Sequence, residues 1–588
     1  MPKKYQGHVQ FQGHRAISLP AVVGEVLNPQ DPDWDIEARL TDPIAFAATS
    51  DPDTLYLHEA MREDDWPEFQ EAMLKEVRDH EANGHWVVVP RSLVPLGVKI
   101  LGAVWSMKRK RRIATREVYK RKARLTVNGS QQVKNENFWD TYSPVVTWFA
   151  IRLFLVISVV RGWHRRQIDF VLAYPQADVE CEMYMEIPKG FEFEENSKSH
   201  VLKLVKNLYG ARQGGLVWNR FIHEGLIERG YTQSKINKCV YYKGTTVFLL
   251  YVDDGIFMGP DADEITSLIQ SLKEDDQYQT KYNITDEGDV DDYLGVKFQT
   301  HEDGKIELTQ PHLIQSILDD LSLNDESTKK ETPGKATVII DKDAEGPDFD
   351  EEWKYRTLVG KLNYLEKSSR PDITTQVHQV ARFSSCPKKS HGEAIKHIGR
   401  YLLATKDRGI IFDPKTDSFE CWADAGFCGD WKKDTAQFDP STARSRIGYV
   451  VKYGGCPLIW QSKLATEICL STTESEYVSL STALRETICI MQLLAEASTM
   501  GIKGLQHLPT VHCKAFEDNS GALEMAKVPK LRPRTKFLNV KYHHFRDFVA
   551  KGLISLHAVP TEEQQADMFT KCLGKELFVK FRASIMGW

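Results

Sequence analysis

Apolar positions along the chain follow two rhythms. From Trp66 to Ala82 they recur at helical spacing, at Phe69, Met73 and Val77, which predicts a helix. Ile151 to Val160 is apolar on every side and predicts a buried helix, whereas Trp86–Val89, Val104–Met107 and Ala123–Val127 predict strands. Two apolar runs, Thr246–Leu250 and Ile256–Met258, flank Tyr251-Val252-Asp253-Asp254, a pattern that predicts a hairpin with two carboxylates at its tip. Gln167-Ile168-Asp169-Phe170 closes another strand, and Thr309–Leu318 predicts a helix. Asn324–Asp350 is polar, holds Pro333-Gly334, and reads as a linker or long loop. Tyr355–Asp407 reads as mostly helical. After Ser418 the pattern returns to strands at Glu420–Asp424, Ser445–Tyr453 and Cys456–Ser462. Ser471-Thr472-Thr473 then supplies an N-cap for a helix carrying Glu474 and Glu476. Thr510–Phe516 predicts a strand running into Glu517-Asp518-Asn519, and Ala566–Lys571 is expected on a C-terminal helix.

With 588 residues the chain is too long for one core, so several domains are expected. Its 41% hydrophobic and 27% charged residues are ordinary for globular proteins. No apolar run is read as reaching membrane-spanning length; Trp148–Val160 is too short and contains Arg152. Met1-Pro2-Lys3-Lys4 has no apolar core behind it, which argues against a signal peptide. Ten cysteines without a C-x-x-C pair argue against zinc knuckles, fit a reducing compartment and read as small core residues. The net charge of -6 does not advertise nucleic-acid binding, but its distribution does. Lys108–Arg112 is an unbroken basic run, followed by Arg116, Lys120, Arg121, Lys122 and Arg124, while acids concentrate at 261–292 and 341–352. The run reads either as a phosphate contact or as a solvated hairpin or nuclear-import signal.

Adjacent carboxylates repel, and one pKa rises unless a cation lies between them. A hard divalent ion such as Mg²⁺ suits such oxygen ligands. Taken alone, Asp253-Asp254-Gly255 reads first as a solvated turn. Asp169 supplies a third acid, and three carboxylates from neighbouring strands can hold the metal pair, about 4 Å apart, that runs phosphoryl transfer. Here the chain resembles the reverse transcriptase of copia-type long-terminal-repeat retrotransposons. The matching blocks are Lys122-Ala123-Arg124-Leu125, Tyr142-Ser143-Pro144-Val145-Val146, Gln167-Ile168-Asp169-Phe170, Leu208-Tyr209-Gly210-Ala211-Arg212-Gln213 and Tyr251-Val252-Asp253-Asp254, in family order and spacing.

The resemblance covers roughly Trp66 to Leu573 and implies a multidomain α/β and α+β fold: a right-hand polymerase with fingers, palm and thumb, then a connection and a ribonuclease H-like α/β domain. The expected boundaries are 1–60 as a disordered leader, 61–300 as fingers and palm, 301–417 as thumb and connection, and 418–588 as the ribonuclease H-like domain. It implies Asp169, Asp253 and Asp254 as catalytic metal ligands, with Asp169 and Asp253 touching both ions. Lys122 and Arg124 are implied at the incoming triphosphate, against the reading of a basic strand facing solvent. An aromatic at Tyr174 would exclude a 2′-hydroxyl, against the reading of a core tyrosine. Tyr209 and Gly210 are expected near the template base and nucleotide, and Gln213 binds there or only shapes the loop. In the second domain the resemblance implies Asp424, Glu476, Asp518 and Asp567 as a catalytic set on two Mg²⁺ ions, with Mn²⁺ as a substitute and Glu474 as the alternative glutamate.

The implied function is RNA- and DNA-directed DNA synthesis with cleavage of RNA in RNA/DNA hybrids. The implied partners are an RNA template, DNA primer and product, RNA/DNA hybrid, dNTPs, and the element's capsid and integrase on its DNA integration pathway, with no membrane. The expected location is a cytoplasmic virus-like particle or the nucleus. A decayed or domesticated copy that binds nucleic acid without catalysis is the alternative. Three departures from the family stand out. Gly214-Gly215 replaces an Ala-Pro-like pair and is expected to loosen its loop. Arg534-Thr535-Lys536-Phe537-Leu538-Asn539 lacks the family's histidine and acid, leaving His543-His544 as substrate-handling or surface residues. No capsid, protease or integrase motif is found, so the chain is expected to be a processed product or a truncated gene.

Overall fold

The computed structural model describes residues 53–111, 117–191, 199–274, 277–278, 280–429, 431–433, 440–502, 511–527 and 540–588. Most of the expected leader, Arg112 and Arg116 of the basic run, and Arg534–Asn539 lie outside the described residues. The chain forms two compact units.

The first unit comprises residues 53–143 and Tyr174–Phe221. Its centre is an antiparallel ribbon of β1 (Ala103–Arg111) and β2 (Val118–Val127), with Thr54–Tyr56 added to the free edge of β1. Thr54–Tyr56, inside the expected leader, therefore belongs to this sheet. Cross-strand partners share a face, and faces alternate along a strand. Trp105↔Leu125 and Met107↔Ala123 put one face into a core with Phe69, Met73 and Val77 of the predicted helix Trp66–Ala82. Arg109↔Arg121 continues that face, and both side chains bond Asp65, at 2.8 and 2.9 Å. The hydrogen bond from Arg109, against burial and with help from Arg121, holds the Asp65 carboxyl well below the usual carboxylate range. Lys108↔Lys122 and Lys110↔Lys120, with Arg124, occupy the opposite face. The pleat thus sends Arg109 and Arg121 to Asp65 and the lysines to the opposite face.

The second unit comprises Pro144–Ala173 and Ile222–Trp588. Helix α1 (Trp148–Arg161) is buried on all sides from Ala150 to Ser158 and ends at Gly162, whose φ of 62° takes the left-handed cap. The strands β3 (His164–Phe170), β4 (Thr246–Tyr251), β5 (Asp254–Gly259) and β6 (Ile284–Asp289) form one antiparallel sheet in the order β6-β3-β5-β4, extended by Val240–Lys243 and Thr232–Gln233. The helix Pro311–Asp320 follows as predicted. Residues 321–354 hold neither helix nor strand, yet they are pinned as a packed loop, with the Thr337 N–H on Cys572 O at 2.9 Å and His391 Nε2 on Asp341 O at 2.8 Å. Helix α2 (Tyr355–Ser368) opens the expected helical region.

A mixed five-stranded sheet completes this unit. It contains β7 (Phe419–Gly426), β8 (Arg446–Tyr453) and β9 (Cys456–Leu464), then helix α3 (Thr472–Thr499), then β10 (Cys513–Glu517) and β11 (Ile554–Ala558). The order is β9-β8-β7-β10-β11; β7–β10 and β10–β11 are parallel and the other pairs antiparallel. Helix α3 packs on β7 and β8. Contrary to the sequence expectation, this 28-residue helix is long and apolar enough to cross a membrane by length and composition. Its apolar window is 67% buried inside the fold, which accounts for the composition. A second correction concerns Ala566–Lys571. The segment is a short 3₁₀ turn, Gln565–Phe569, and the terminal helix begins only at Lys575. Thr570, with φ −121°, leaves the helical region and gives its hydroxyl to Asp424, so tertiary bonding ends the turn. All ten cysteines are free and most are buried.

Candidate active sites

The first carboxylate group stands at one end of the β3–β5–β4 sheet. Tyr251 pairs with Asp254 to close the hairpin, and between them Val252 has φ of 55°. A β-branched residue in the left-handed region is a strained conformation that the surrounding structure must hold in place. Strand β5 lies beside β3 in the register Asp254↔Asp169, and the Phe170 N–H donates to Asp253 O at 2.7 Å. Directly opposed antiparallel residues have Cβ atoms about 4.5–5.5 Å apart. The three acids quoted from two separate motifs are therefore neighbours. Burial, then Asp253 and Asp169, then Asp292 and Glu287, push the Asp254 carboxyl up to about 7. Sequence reasoning passed over Asp292, whose only signal was its place beside Tyr293-Leu294-Gly295.

The expected nucleotide-side residues belong to the first unit. Arg124 lies 4.1 Å over the Tyr209 ring, which stacks on Tyr174 with centroids 5.0 Å apart. Tyr174 is only 8% exposed. Gly214 and Gly215 do not loosen their loop as expected. A Cβ at Gly214 would lie 3.1 Å from the Tyr174 ring and one at Gly215 3.2 Å from its hydroxyl, so the pair makes room for that aromatic. Gly210, at φ of 89°, has room for no side chain, because a Cβ would meet Val127 O at 2.2 Å; the Val127 N–H in turn donates to Tyr209 O at 2.8 Å. Gln213 is buried, accepts from Gln132 Nε2 at 2.9 Å and donates to Met183 Sδ, bonds that shape the loop. Lys122 is half-buried on the cationic face, and burial, then Arg124 and Lys110, pushes its ammonium below the ordinary value.

The second carboxylate group gathers around the end of β7. Oxygens of Asp424, Glu476 and Asp518 all lie within 4.8 Å of one another. Asp424 stands in the buried part of β7, Asp518 follows β10, and Glu476 stands in the first turns of α3. Ser479 Oγ fastens the helix to Asp424 O at 2.7 Å. Gly448 on β8 admits the 3₁₀ turn that carries Asp567, since a Cβ there would meet Phe569 at 2.8 Å. Lys571 Nζ lies 2.6 Å from Asp567 and 3.5 Å from Asp424, and Thr561 Oγ1 donates to Asp518 at 2.9 Å. Burial, then Asp424, Glu517 and Asp518, pushes the Glu476 carboxyl far up, and burial and Asp424 raise Asp567. Glu474 is placed elsewhere, accepting the Leu470 N–H at 2.8 Å. His543 Nδ1 shares a hydrogen bond of 2.8 Å with the Tyr477 hydroxyl, and His544 Nδ1 takes Lys541 O at 3.1 Å.

The donor chemistry of both groups fits a divalent cation, and in the second the oxygens of Asp424, Glu476 and Asp518 also gather closely enough to share one. Each offers only carboxylate oxygens, which a hard ion prefers. Glu476 Oε2 is buried and has no hydrogen-bond partner, and Lys571 already supplies positive charge between Asp424 and Asp567. Asp254 rises through burial first, then through the like charges of Asp253 and Asp169.

Residues 83–335 match the family described as reverse transcriptase (RNA-dependent DNA polymerase). The chain is 29% identical over 533 residues to the retrovirus-related Pol polyprotein from transposon TNT 1-94 of Nicotiana tabacum, covering 89% of this chain and 38% of that protein. It is also 29% identical over 549 residues to the Pol polyprotein from transposon RE2 of Arabidopsis thaliana, covering 92% and 35%. With the transposon Ty1-DR1 Gag-Pol polyprotein of Saccharomyces cerevisiae it shares 24% identity over 470 residues, covering 78% and 26%. The chain thus spans little more than a third of the length of the first two relatives. Among solved structures, a foamy viral protease-reverse transcriptase in complex with double-stranded DNA aligns with TM-score 0.41 and 10% identity, over 84% of this chain and 70% of that one.

Proposed function

On the premise that this chain is a relative of copia-type transposon Pol polyproteins and carries a reverse transcriptase domain, we propose that it is a bifunctional enzyme. It copies RNA, then DNA, into DNA, and it cleaves the RNA of the resulting hybrid. The observation that carries this reading is the pairing of Asp254 with Asp169 across β5 and β3.

Asp169, Asp253 and Asp254 would hold divalent ions, as would Asp424, Glu476, Asp518 and Asp567. Bound there, Mg²⁺ or Mn²⁺ supplies the positive charge that in-line phosphoryl transfer needs at the attacking and leaving oxygens. The strained Val252 turn presents Asp253 and Asp254 together at the sheet end. Lys122 and Arg124 bind the triphosphate, where a guanidinium fork matches phosphate geometry. Arg124 is braced for this by Tyr209. Tyr174 is held by Tyr209 and the glycine pair and faces the sugar of the nucleotide, excluding a 2′-hydroxyl. In the nuclease site Lys571 holds Asp567 and Asp424 together, and Thr561 orients Asp518.

Separation of activities tests the reading. Asp254→Asn is expected to abolish primer extension on a heteropolymeric RNA while hybrid cleavage survives, and Asp518→Asn to do the reverse. An unmutated chain with neither activity in Mg²⁺ overturns the proposal.

A further inference from the structure

Gln564 immediately precedes the 3₁₀ turn that carries Asp567, and its side chain is fully buried. Both ends of its amide are used. Nε2 donates at 2.9 Å to Ala423 O, the carbonyl just before Asp424 on β7. Oε1 accepts at 3.2 Å the N–H of Ala566, the residue just before Asp567. The Gln564 carbonyl also accepts the Asp567 N–H at 3.1 Å. One uncharged side chain therefore ties the backbone beside one acid to the backbone beside another.

Thr570 fastens the same segment at its other end. It is buried, and its hydroxyl donates to Asp424 Oδ2. Its methyl packs on β8 at a glycine: a Cβ on Gly448 would lie 2.6 Å from Thr570 Cγ2. Asp424, Glu476 and Asp518 are carried by β7, by α3 and by the end of β10, whereas Asp567 rides on a short 3₁₀ turn. So short a turn has little rigidity of its own, and the bonds that tie it to β7 set where its carboxylate stands.

We propose that Gln564 and Thr570 are positioning residues of the nuclease site, a clasp that fixes where Asp567 stands relative to Asp424 and how the Asp424 carboxylate is turned. The inference rests on the reading of these acids as ligands of a divalent cation, and it adds two uncharged residues that the reading does not use. Partners that orient metal ligands are typically worth about 10–100-fold in metal affinity or activity.

Mn²⁺ binding to the full chain tests this, with free ion read by electron paramagnetic resonance. Asp169→Asn, Asp253→Asn and Asp254→Asn are combined in that assay to silence the polymerase acids. Gln564→Met keeps the length of the side chain and removes both bonds, while the turn retains the Thr375 hydroxyl on Met568 O at 2.7 Å. Thr570→Val keeps the shape and removes the hydroxyl. Each is expected to weaken Mn²⁺ binding by at least about tenfold. With the polymerase acids intact, each is expected to lower kcat for hybrid cleavage by at least about tenfold, while KM for the hybrid and the rate of primer extension stay within about twofold of the parent. Thr570→Ser returns the hydroxyl and is expected to restore Mn²⁺ affinity to within about threefold of the parent. Parent-like Mn²⁺ binding in folded Gln564→Met and Thr570→Val overturns the proposal, even if both melt earlier, because the bonds would then serve stability alone. Equal losses in Thr570→Ser and Thr570→Val overturn it as well, since the hydroxyl would not be what matters. Should Gln564→Met fail to fold, the two Thr570 variants decide. An Asp424→Asn variant that binds Mn²⁺ like its parent overturns the metal reading itself, and the clasp with it.

Discussion

A single proton governs the pair His80 and His85. Both rings are buried, and their Nδ1 atoms are 2.6 Å apart, so one must donate and the other accept. Protonating both would leave two donors facing each other. Burial first, then His80 and Lys206, against Glu76, push His85 down to about 4. The sign follows from linkage: the folded value lies below the unfolded value of about 6.5, so between these pH values the unfolded chain holds more protons. Stability contributed by neutral His85 is full above about 6.5 and drains as pH falls toward 4, by up to about 3 kcal/mol. His85→Gln is expected to lose that acid sensitivity, seen as a flatter dependence of urea unfolding free energy on pH across the window. An equal slope in parent and variant would sink the assignment. At this scale the sequence was legible where a residue sits in a motif: Asp169 and Asp254, quoted from two separate blocks, stand opposite each other on neighbouring strands, and oxygens of Asp424, Glu476 and Asp518 lie within 4.8 Å of one another. Gly214-Gly215 was misread, because the ring that needs their space lies about 40 residues away in the chain.

At the scale of elements, α3 shows how helix register divides two similar acids. Ser471 Oγ accepts the Glu474 N–H at 3.2 Å, and the Glu474 carboxylate returns to the Leu470 N–H at 2.8 Å. Glu474 thereby satisfies backbone donors at the helix start and, being acidic, complements the helix dipole. Residues two apart stand about 200° apart around a helix, so Glu476 faces the sheet and Glu474 cannot. Glu474→Ala is expected to leave hybrid cleavage within about twofold and to cost about 0.5–1 kcal/mol of stability. Glu476→Gln is expected to abolish cleavage. The converse pattern of rates would assign the metal-facing role to Glu474. The hydrophobic periods made the hairpin and the strands β7 to β9 legible. They failed at Ala566–Lys571, a segment too short for a period to distinguish one turn of 3₁₀ helix from an α-helix. What ends the turn there is a hydroxyl bond to Asp424, a tertiary fact with no local signature.

At the scale of the second unit, one buried arginine joins three parts of the chain. Arg152 on α1 is 2% exposed and donates to Leu458 O of β9 at 2.9 Å, to Ser368 O of α2 at 2.9 Å and to Lys367 O. Its guanidinium lies between the Trp148 and Trp460 rings, at 5.2 and 4.1 Å, and Trp460 Nε1 donates to Glu366 O at 3.0 Å. In the same unit, Glu496 of α3 accepts from Ser234 Oγ and the Lys235 N–H. The sequence showed Arg152 only as a flaw in an apolar helix. The structure shows the helix that backs the β3–β5 sheet tied by that residue to strand β9 of the five-stranded sheet and to helix α2. Burial pushes its guanidinium down to about 9, which marks how fully it has left water. Truncation would leave three carbonyls without a donor, at about 1–3 kcal/mol each in the unrelaxed limit. Arg152→Met keeps the apolar stem and the ring contacts and removes only the donors. It is expected to lower the melting temperature by several degrees and to split one calorimetric transition of this unit into two, as the β3–β5 sheet and the β7–β11 sheet lose their shared anchor. Both activities would then fall together above the first transition, although every proposed metal ligand is intact. A variant that melts in one step at the parent temperature would show that the two sheets are held by surface packing alone.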